Sequence, residues 1–258
     1  MDEERWRELL TEGHKPLHLL QVFFRSLPAP PRCKTCYAPF RGLGGKLVAL
    51  AGFAPSRKNP NFCARCYEGL GQGGAEIDIA VLFADVRGST RMGEQLEPAA
   101  FAKVLDRFYR AVTDVLVRHD AIIDKLIGDE VMALFIPGVC GPQYCQRAAE
   151  AAVALMRAVG YGPSKEPWMP IGAAVNSGLS FVGNVGGESI SDFTALGDPV
   201  NTASRLASKA AAGEVLLSEP IYATAAGRLP NLERRTLALQ GKEAPFTVRV
   251  CLPAQLNS

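Results

Sequence analysis

Between Gly13 and Tyr67 this chain contains no acidic residue, while nine cations (Lys15, Arg25, Arg32, Lys34, Arg41, Lys46, Arg57, Lys58, Arg65) fall in the same stretch. The imbalance is local, because the whole chain carries a formal net charge of only +2. Long apolar runs are also missing: none approaches the ~20 residues that span a bilayer, which excludes a membrane helix. The start, "MDEERWRELL", is charged and acidic and does not resemble a secretory signal. A cytoplasmic location is therefore expected, with reduced thiols. Histidine is scarce. His14, His18 and His119 are the only three, and none stands where a general base is obvious. Internal repeats and low-complexity tracts are absent. What remains is an ordinary globular composition, 48% hydrophobic and 21% charged over 258 residues. That is long enough for one large domain, or one with a small appendage.

The acid-free stretch also holds four of the seven cysteines. This composition shift divides the chain into residues 1–72, a helical segment with a four-cysteine module, and residues 73–258, a larger domain. The Gly-rich "GLGQGGAE" (Gly69 to Glu76) reads as the linker. Within residues 2–26, Trp6, Leu9, Leu10, Leu17, Leu20 and Phe24 lie roughly on one helical face, interrupted by Pro16; one or two short helices are expected, packed against the rest of the chain. "CKTC" (Cys33, Cys36) and "CARC" (Cys63, Cys66) supply four soft ligands from two knuckles, which suits a closed tetrahedral zinc site. Four thiolates can also hold an iron–sulfur cluster, and a redox pair is a third option. With so little core of its own, the segment is expected to need its metal to fold. Its positive charge would support phosphate contacts. It lacks both a recognition helix and the aromatic–basic alternation of RNA readers, so docking or sensing is expected in place of nucleic-acid binding.

From Ile77 onward strands alternate with helices, giving an α+β fold with a mixed or antiparallel sheet faced by helices. "IDIAVLFADV" (77–86) is a largely apolar strand ending near Asp85, and Phe101, Val104, Leu105, Phe108, Val112 and Val115 mark a long amphipathic helix. "IDKLIGDEVMALF" (123–135), an apolar run interrupted by Asp124 and Lys125 and then a second one, reads as a tight hairpin with Gly128-Asp129 at its tip. A helix from Gln143 to Val159, a strand pair in "IGAAVNSGLSFVGNVG", a helix from Asp198 to Ala211 and strands near 214–218, 233–239 and 246–251 complete the expectation. If the strands bearing Asp85 and Asp129 pair, both carboxylates meet at one rim. Paired acids repel unless a cation lies between them, and oxygen-only ligands favour Mg²⁺ or Mn²⁺. "DVRGST" beside Asp85 offers a glycine turn into a helix start, a cradle for phosphate through Gly88, Ser89 and Thr90. Ser89 and Thr90 are better capping residues than Asp85. Metal and phosphate cradle together suggest a nucleoside triphosphate.

"FADVRGST", "KLIGDEVMALF", "GLSFVGNVG" and "ALGDPVNTASRL", in this order, resemble the catalytic domain of class III nucleotidyl cyclases over about residues 77–251. The resemblance implies a ferredoxin-like α+β sheet and a head-to-tail homodimer with two shared active sites. It makes Asp85, Val86 and Asp129 the ligands of two Mg²⁺ or Mn²⁺ ions per site. It implies that the ribose 3′-oxygen attacks the α-phosphate and expels pyrophosphate, the proton passing to Asp85, a substrate oxygen or water. Asp198 is expected to cap its helix, with Pro199 at the first helical position. Asn201 and Arg205, four apart, share a face. By the resemblance Asn201 orients the ribose and Arg205 stabilises the α-phosphate in the transition state, a task for which its planar fork is suited. "LQGKEAPFTVRV" matches the family's late loop and puts Lys242 on the β- and γ-phosphates.

Lys125 and Thr194 fall where the family reads the purine. Lys125 has only donors, so it satisfies N1 of adenine and opposes the N1–H of guanine. Thr194 stands where many members carry aspartate; its hydroxyl accepts from an amino group yet can also donate. Cytosine shows a similar edge. The resemblance therefore leads to an adenylate cyclase making 3′,5′-cyclic AMP from ATP. A cyclase for another nucleotide (cyclic CMP, UMP or GMP) and a catalytically silent nucleotide-binding module stay open.

Overall fold

The computed structural model describes residues 2–13, 22–24, 31–162, 166–187, 191–225, 227–229 and 231–253. Its helices are α1 (Glu3–Glu12), α2 (Gly42–Val48), α3 (Ala64–Glu68), α4 (Ser89–Gln95), α5 (Pro98–Arg118), α6 (Pro137–Cys140), α7 (Tyr144–Ala158), α8 (Asp198–Lys209) and α9 (Glu219–Ala225). Its strands are β1 (Gly73–Val86), β2 (Ile122–Ile127), β3 (Glu130–Phe135), β4 (Ile171–Gly186), β5 (Ser191–Leu196), β6 (Val215–Ser218), β7 (Glu233–Leu237) and β8 (Phe246–Cys251). They form one mixed sheet in the order β2-β3-β1-β4-β6-β8-β7, with β5 also paired to β4. Among the described residues only the β4–β6 pair is parallel. This is the α+β sheet with flanking helices that the sequence pattern predicts.

Strand β1 explains its own composition. Successive side chains of a strand face opposite sides. Ala80, Leu82 and Ala84 join a core with Phe108, Val112 and Leu116 of α5 and with α7 and α9. Ile79, Val81 and Phe83 join a second core with Trp6 and Leu10 of α1, Cys33, Cys36 and Cys63 of the cysteine module, and Leu206 of α8. Both faces are covered, so a continuous apolar run is the right sequence for the strand.

Two glycine-based expectations need correction. Gly73 to Glu76 belong to β1 and not to a linker. Gly74 faces Gly183 across the β1–β4 pair, and a Cβ on Gly74 would lie 2.8 Å from the Gly183 Cα, so these glycines permit a close crossing of backbones. "IGAAVNSGLSFVGNVG" is one strand of 16 residues, not a pair. Gly178 in its middle leaves room for Pro199, whose ring would lie 2.8 Å from a Cβ there.

The N-terminal part packs on the sheet through buried polar contacts as well as apolar ones. The Asn59 side chain donates to the Ile123 carbonyl (3.0 Å) and accepts from the Ile123 N–H (2.7 Å), as a neighbouring strand would. Asn61 donates to the carbonyls of Val117 and Ala121. Trp6 is fully buried, and its indole N–H reaches the Gln72 carbonyl. Of the expected apolar stripe, Trp6, Leu10 and Phe24 are buried; Leu17 and Leu20 lie outside the described residues, as do Pro16, His14 and His18.

Candidate active site

The hairpin tip forms as its sequence demands. β2 ends at Ile127, β3 starts at Glu130, and Gly128 (φ 60°) takes the left-handed turn conformation with Asp129 beside it. The β1–β3 register then sets Asp85 opposite Glu130, and the Val86 N–H donates to the Asp129 carbonyl at 3.1 Å. Asp85 and Asp129 thus meet at one rim, as expected. Tyr109 of α5 donates to the Gly128 carbonyl and props the tip from behind.

Three carboxyl groups now share a small volume. Burial raises the Asp85 carboxyl above its ordinary range; the Arg87 guanidinium opposes this, and Asp129 adds to it. Glu130 is raised by burial, then by Asp85 and Asp129. Arg87 Nη2 pairs with Asp85 at 3.0 Å and also donates to the Ala207 carbonyl, and Nη1 donates to the Ser208 carbonyl, both at the end of α8. Its Nε is buried without a partner. The Ser89 hydroxyl donates to Asp129. Ser89 and Thr90 therefore do not cap α4. Gly88 occupies that position at φ 74°, with no side-chain cap bond, because the Asp129 carboxylate competes successfully for the serine hydroxyl.

The base-reading candidates come together as well. β2 and β5 are not neighbours in the sheet, yet Lys125 Nζ donates to Thr194 Oγ1 at 2.9 Å. A register shift between Ile123 and Lys125 makes Asp124 the extra residue of a bulge, and bulges re-aim side chains. Lys125 also pairs with Asp124 at 2.9 Å and with Asp192 at 3.5 Å, and Asp192 in turn pairs with Lys58 of the cysteine module.

On α8, Gly197 takes the cap position, so Asp198 is the first helical residue and Pro199 the second, a shift of one from expectation. Asp198 instead accepts from Lys242 Nζ at 2.5 and 2.6 Å. Asn201 is exposed and Arg205 half-buried on the same helix. Arg205 lies against Gly241, whose Cβ would stand 3.4 Å from the guanidinium, so Lys242 and Arg205 are neighbours in space. His119 closes α5 and bonds the Val115 carbonyl, a structural position.

The Sγ atoms of Cys33, Cys36, Cys63 and Cys66 all lie within 4.8 Å of one another, an arrangement able to hold a metal. Residue type and spacing did not mark Arg87, Glu130, Asp192 or Lys58 as members of the site. None belongs to a spacing pattern; each acquires its place only through strand register or module docking. Asp124, interrupting an apolar run, was the one visible signal.

A rim of paired acids beside a turn into a helix, with a lysine–threonine pair brought together from two non-adjacent strands of an α+β sheet, is the arrangement of a nucleotide-cyclising catalytic domain. Residues 75–250 match the family described as the adenylate and guanylate cyclase catalytic domain, and the chain belongs to that family. Uncharacterized protein Rv1319c of Mycobacterium tuberculosis is 31% identical over 183 residues, covering 69% of this chain and 34% of its own length. Uncharacterized protein Rv1318c of the same organism is 32% identical over 194 residues, covering 72% and 34%. The chain therefore spans about a third of the length of these curated relatives. The crystal structure of the guanylyl cyclase Cya2 superposes with a TM-score of 0.64 at 27% identity, covering 69% of this chain and 93% of that one. That of the adenylyl cyclase CyaB from P. aeruginosa gives 0.59 at 28%, covering 68% and 94%.

Glu130 gives a test of the acid cluster with a defined sign. Its folded-state pKa is raised, so the charge costs the folded protein stability that is present at low pH and is lost as pH climbs through the raised value. In metal-free protein, Glu130→Gln is expected to raise the urea midpoint at about pH 8, with the gain shrinking toward pH ~4. A gain that does not change with pH would contradict the raised pKa that burial and the neighbouring acids produce.

Proposed function

We propose that this protein is an adenylate cyclase, a phosphorus–oxygen lyase that converts ATP to 3′,5′-cyclic AMP and pyrophosphate in a head-to-tail homodimer. The observation that carries the reading is the meeting of Asp85 and Asp129 at the tip of a clamped hairpin, where the Asp85 carboxyl is already pushed up by burial and by its neighbour. Such a donor set, oxygen-only and mutually repelling, fits Mg²⁺ or Mn²⁺. Asp85 and Asp129 would hold two ions through their carboxylates, and Val86 would contribute its backbone carbonyl. When bound, the ions lower the pKa of the ribose 3′-hydroxyl and neutralise charge on the phosphate oxygens. The 3′-oxygen then bonds to the α-phosphorus as the bond to the bridging oxygen breaks, and the pyrophosphate leaves. The hydroxyl proton goes to Asp85, a substrate oxygen or water.

Gly88, Ser89 and Thr90 lie at the phosphate end. From the partner protomer, Asn201 orients the ribose, Arg205 pairs with the α-phosphate, and Lys242 exchanges Asp198 for the β- and γ-phosphates. Lys125 donates to adenine N1, and Thr194 accepts from the 6-amino group. Exposed apolar side chains near the hairpin tip (Leu126, Ile127), on β4 (Leu179) and at the end of β5 (Leu196) support a protein partner.

The division of labour is open to direct measurement. The purified protein incubated with each nucleoside triphosphate and Mn²⁺ is expected to yield cyclic AMP as the dominant product by mass. Asp129→Ala should lower turnover by roughly a thousandfold while dimers persist. Unchanged turnover in that variant would remove the metal assignment. Asp85→Ala and Asn201→Ala, each inactive alone, are expected to recover activity when mixed, because one of the two shared sites is then intact. Heterodimers that form without recovery would rule out sites shared between protomers.

The second part of the proposal concerns residues 1–72, taken as a module distinct from the catalytic domain at 73–258. Its four thiolates suit one structural Zn²⁺. Bonds of about 2.3 Å to a tetrahedral ion give sulfur–sulfur edges of about 3.8 Å; Cys36 and Cys63 stand 3.7 Å apart. An iron–sulfur cluster, with several irons and bridging sulfides inside, would need a wider set. Metal analysis is expected to give one zinc per chain, lost in Cys33→Ser; several irons per chain together with acid-labile sulfide would decide for the cluster.

A further inference from the structure

Asp124 has a side chain with no exposure to solvent, and its two oxygens are both engaged at the base-reading pair. Oδ1 accepts from Lys125 Nζ at 2.9 Å, and Oδ2 accepts from Thr194 Oγ1 at 2.7 Å. Lys125 Nζ also donates to Thr194 Oγ1 at 2.9 Å. A threonine hydroxyl has one hydrogen and two lone pairs. Here the hydrogen goes to Asp124 and one lone pair to Lys125, so the hydroxyl has only a lone pair left to offer a base.

We infer that Asp124 is a specificity-positioning residue: it takes the Thr194 proton, converting an ambivalent hydroxyl into an acceptor that admits a purine with a 6-amino group and opposes one with a 6-oxygen. The inference rests on Lys125 and Thr194 being the pair that contacts the base. It accounts for how threonine serves where an aspartate is common: the carboxylate stands behind the hydroxyl, on β2. Lys125 is set by the same group. Of its three N–H donors, one goes to Asp124 and one to Thr194. The third faces Asp192 at 3.5 Å, itself paired with Lys58, and is the donor for N1 of adenine. Guanine presents O6 and N1–H at these positions, so it meets an acceptor with an acceptor and a donor with a donor. The cysteine module secures the arrangement, since Asn59 bonds both backbone polar groups of Ile123, the residue before Asp124.

The test compares kcat/KM for ATP and for purine riboside 5′-triphosphate, which lacks the 6-amino group, in the full-length protein with Mn²⁺. The wild type is expected to prefer ATP by about tenfold, the usual value of one buried hydrogen bond. Asp124→Asn keeps the shape but presents an amide N–H to Thr194, turning the hydroxyl outward as a donor. The preference should then fall to near unity, and GTP should gain on ATP by about tenfold. In Asp124→Asn/Thr194→Asp the acceptor is restored at the reading position, and the ATP preference should return. A purely structural Asp124 would depress both substrates alike and would not be rescued. Should Asp124→Asn not fold, Asp124→Ser, which has no carboxylate to take the Thr194 proton, replaces it with the same expectation; Thr194→Val tests the base-reading pair itself and should lose the preference too. An unchanged ATP-to-purine-riboside ratio in Asp124→Asn overturns the inference alone, whereas an unchanged ratio in Thr194→Val overturns the base-reading pair beneath it. A wild type that prefers GTP to ATP overturns the adenine reading beneath it.

Discussion

Strand β1 has no free edge at the rim: β3 holds one side and β4 the other, so Asp85 is paired to Glu130 and Gly172 at once. The Val86 N–H then draws the Asp129 carbonyl in, and Tyr109 backs the turn. Asp85 sits on a strand bonded at both edges, and Asp129 sits in a short turn tied to the Val86 N–H, so neither backbone is free to move away from the other. Burial raises the Asp85 carboxyl most; Arg87 opposes that rise and Asp129 adds to it, so the acids stay together at a cost that the fold holds in place.

The same arginine connects the acids to α8. Its bonds to the Ala207 and Ser208 carbonyls meet the negative end of that helix, which favours a cation. Because α8 is rigid and packed on both β1 and β4 through Val200, Ala203 and Leu206, the positions of Asn201 and Arg205 are fixed relative to the sheet of their own protomer. Catalysis that needs reacting groups placed to within a fraction of an ångström is well served by residues on helices and strands of one framework.

The cysteine module is part of that framework and not a pendant. It contributes Cys33, Cys36 and Cys63 to the core beneath one sheet face; Asn59 satisfies the backbone groups of Ile123 that a partner strand would otherwise take, and Asn61 satisfies carbonyls at the end of α5 and just after it. Lys58 reaches Asp192, two residues from Thr194. The segment without acids thus sets its cations against acids elsewhere, Lys34 pairing with Asp120 in the same way.

Much of this was legible beforehand. The turn at Gly128-Asp129 is written in a two-residue loop between apolar runs, and helix α5 in its apolar period, because both are local consequences of backbone geometry. Asp85, Asp129, Lys125, Thr194, Asn201 and Arg205 could be picked out by residue type within recognisable motifs. Glycine was misread twice, at Gly74 and Gly178, since a glycine needed for a close approach looks in sequence like one needed for a turn. Capping was misread at Ser89 and Asp198 because each side chain found a better electrostatic partner from a distant segment, Asp129 and Lys242. By itself, then, the sequence determined the local elements and the chemical kinds of group available. Which carboxylate receives which proton, and which cation faces which acid, was decided by the tertiary structure alone, because Asp124 and Thr194 are 70 residues apart and acquire their roles only when two non-adjacent strands are folded against each other.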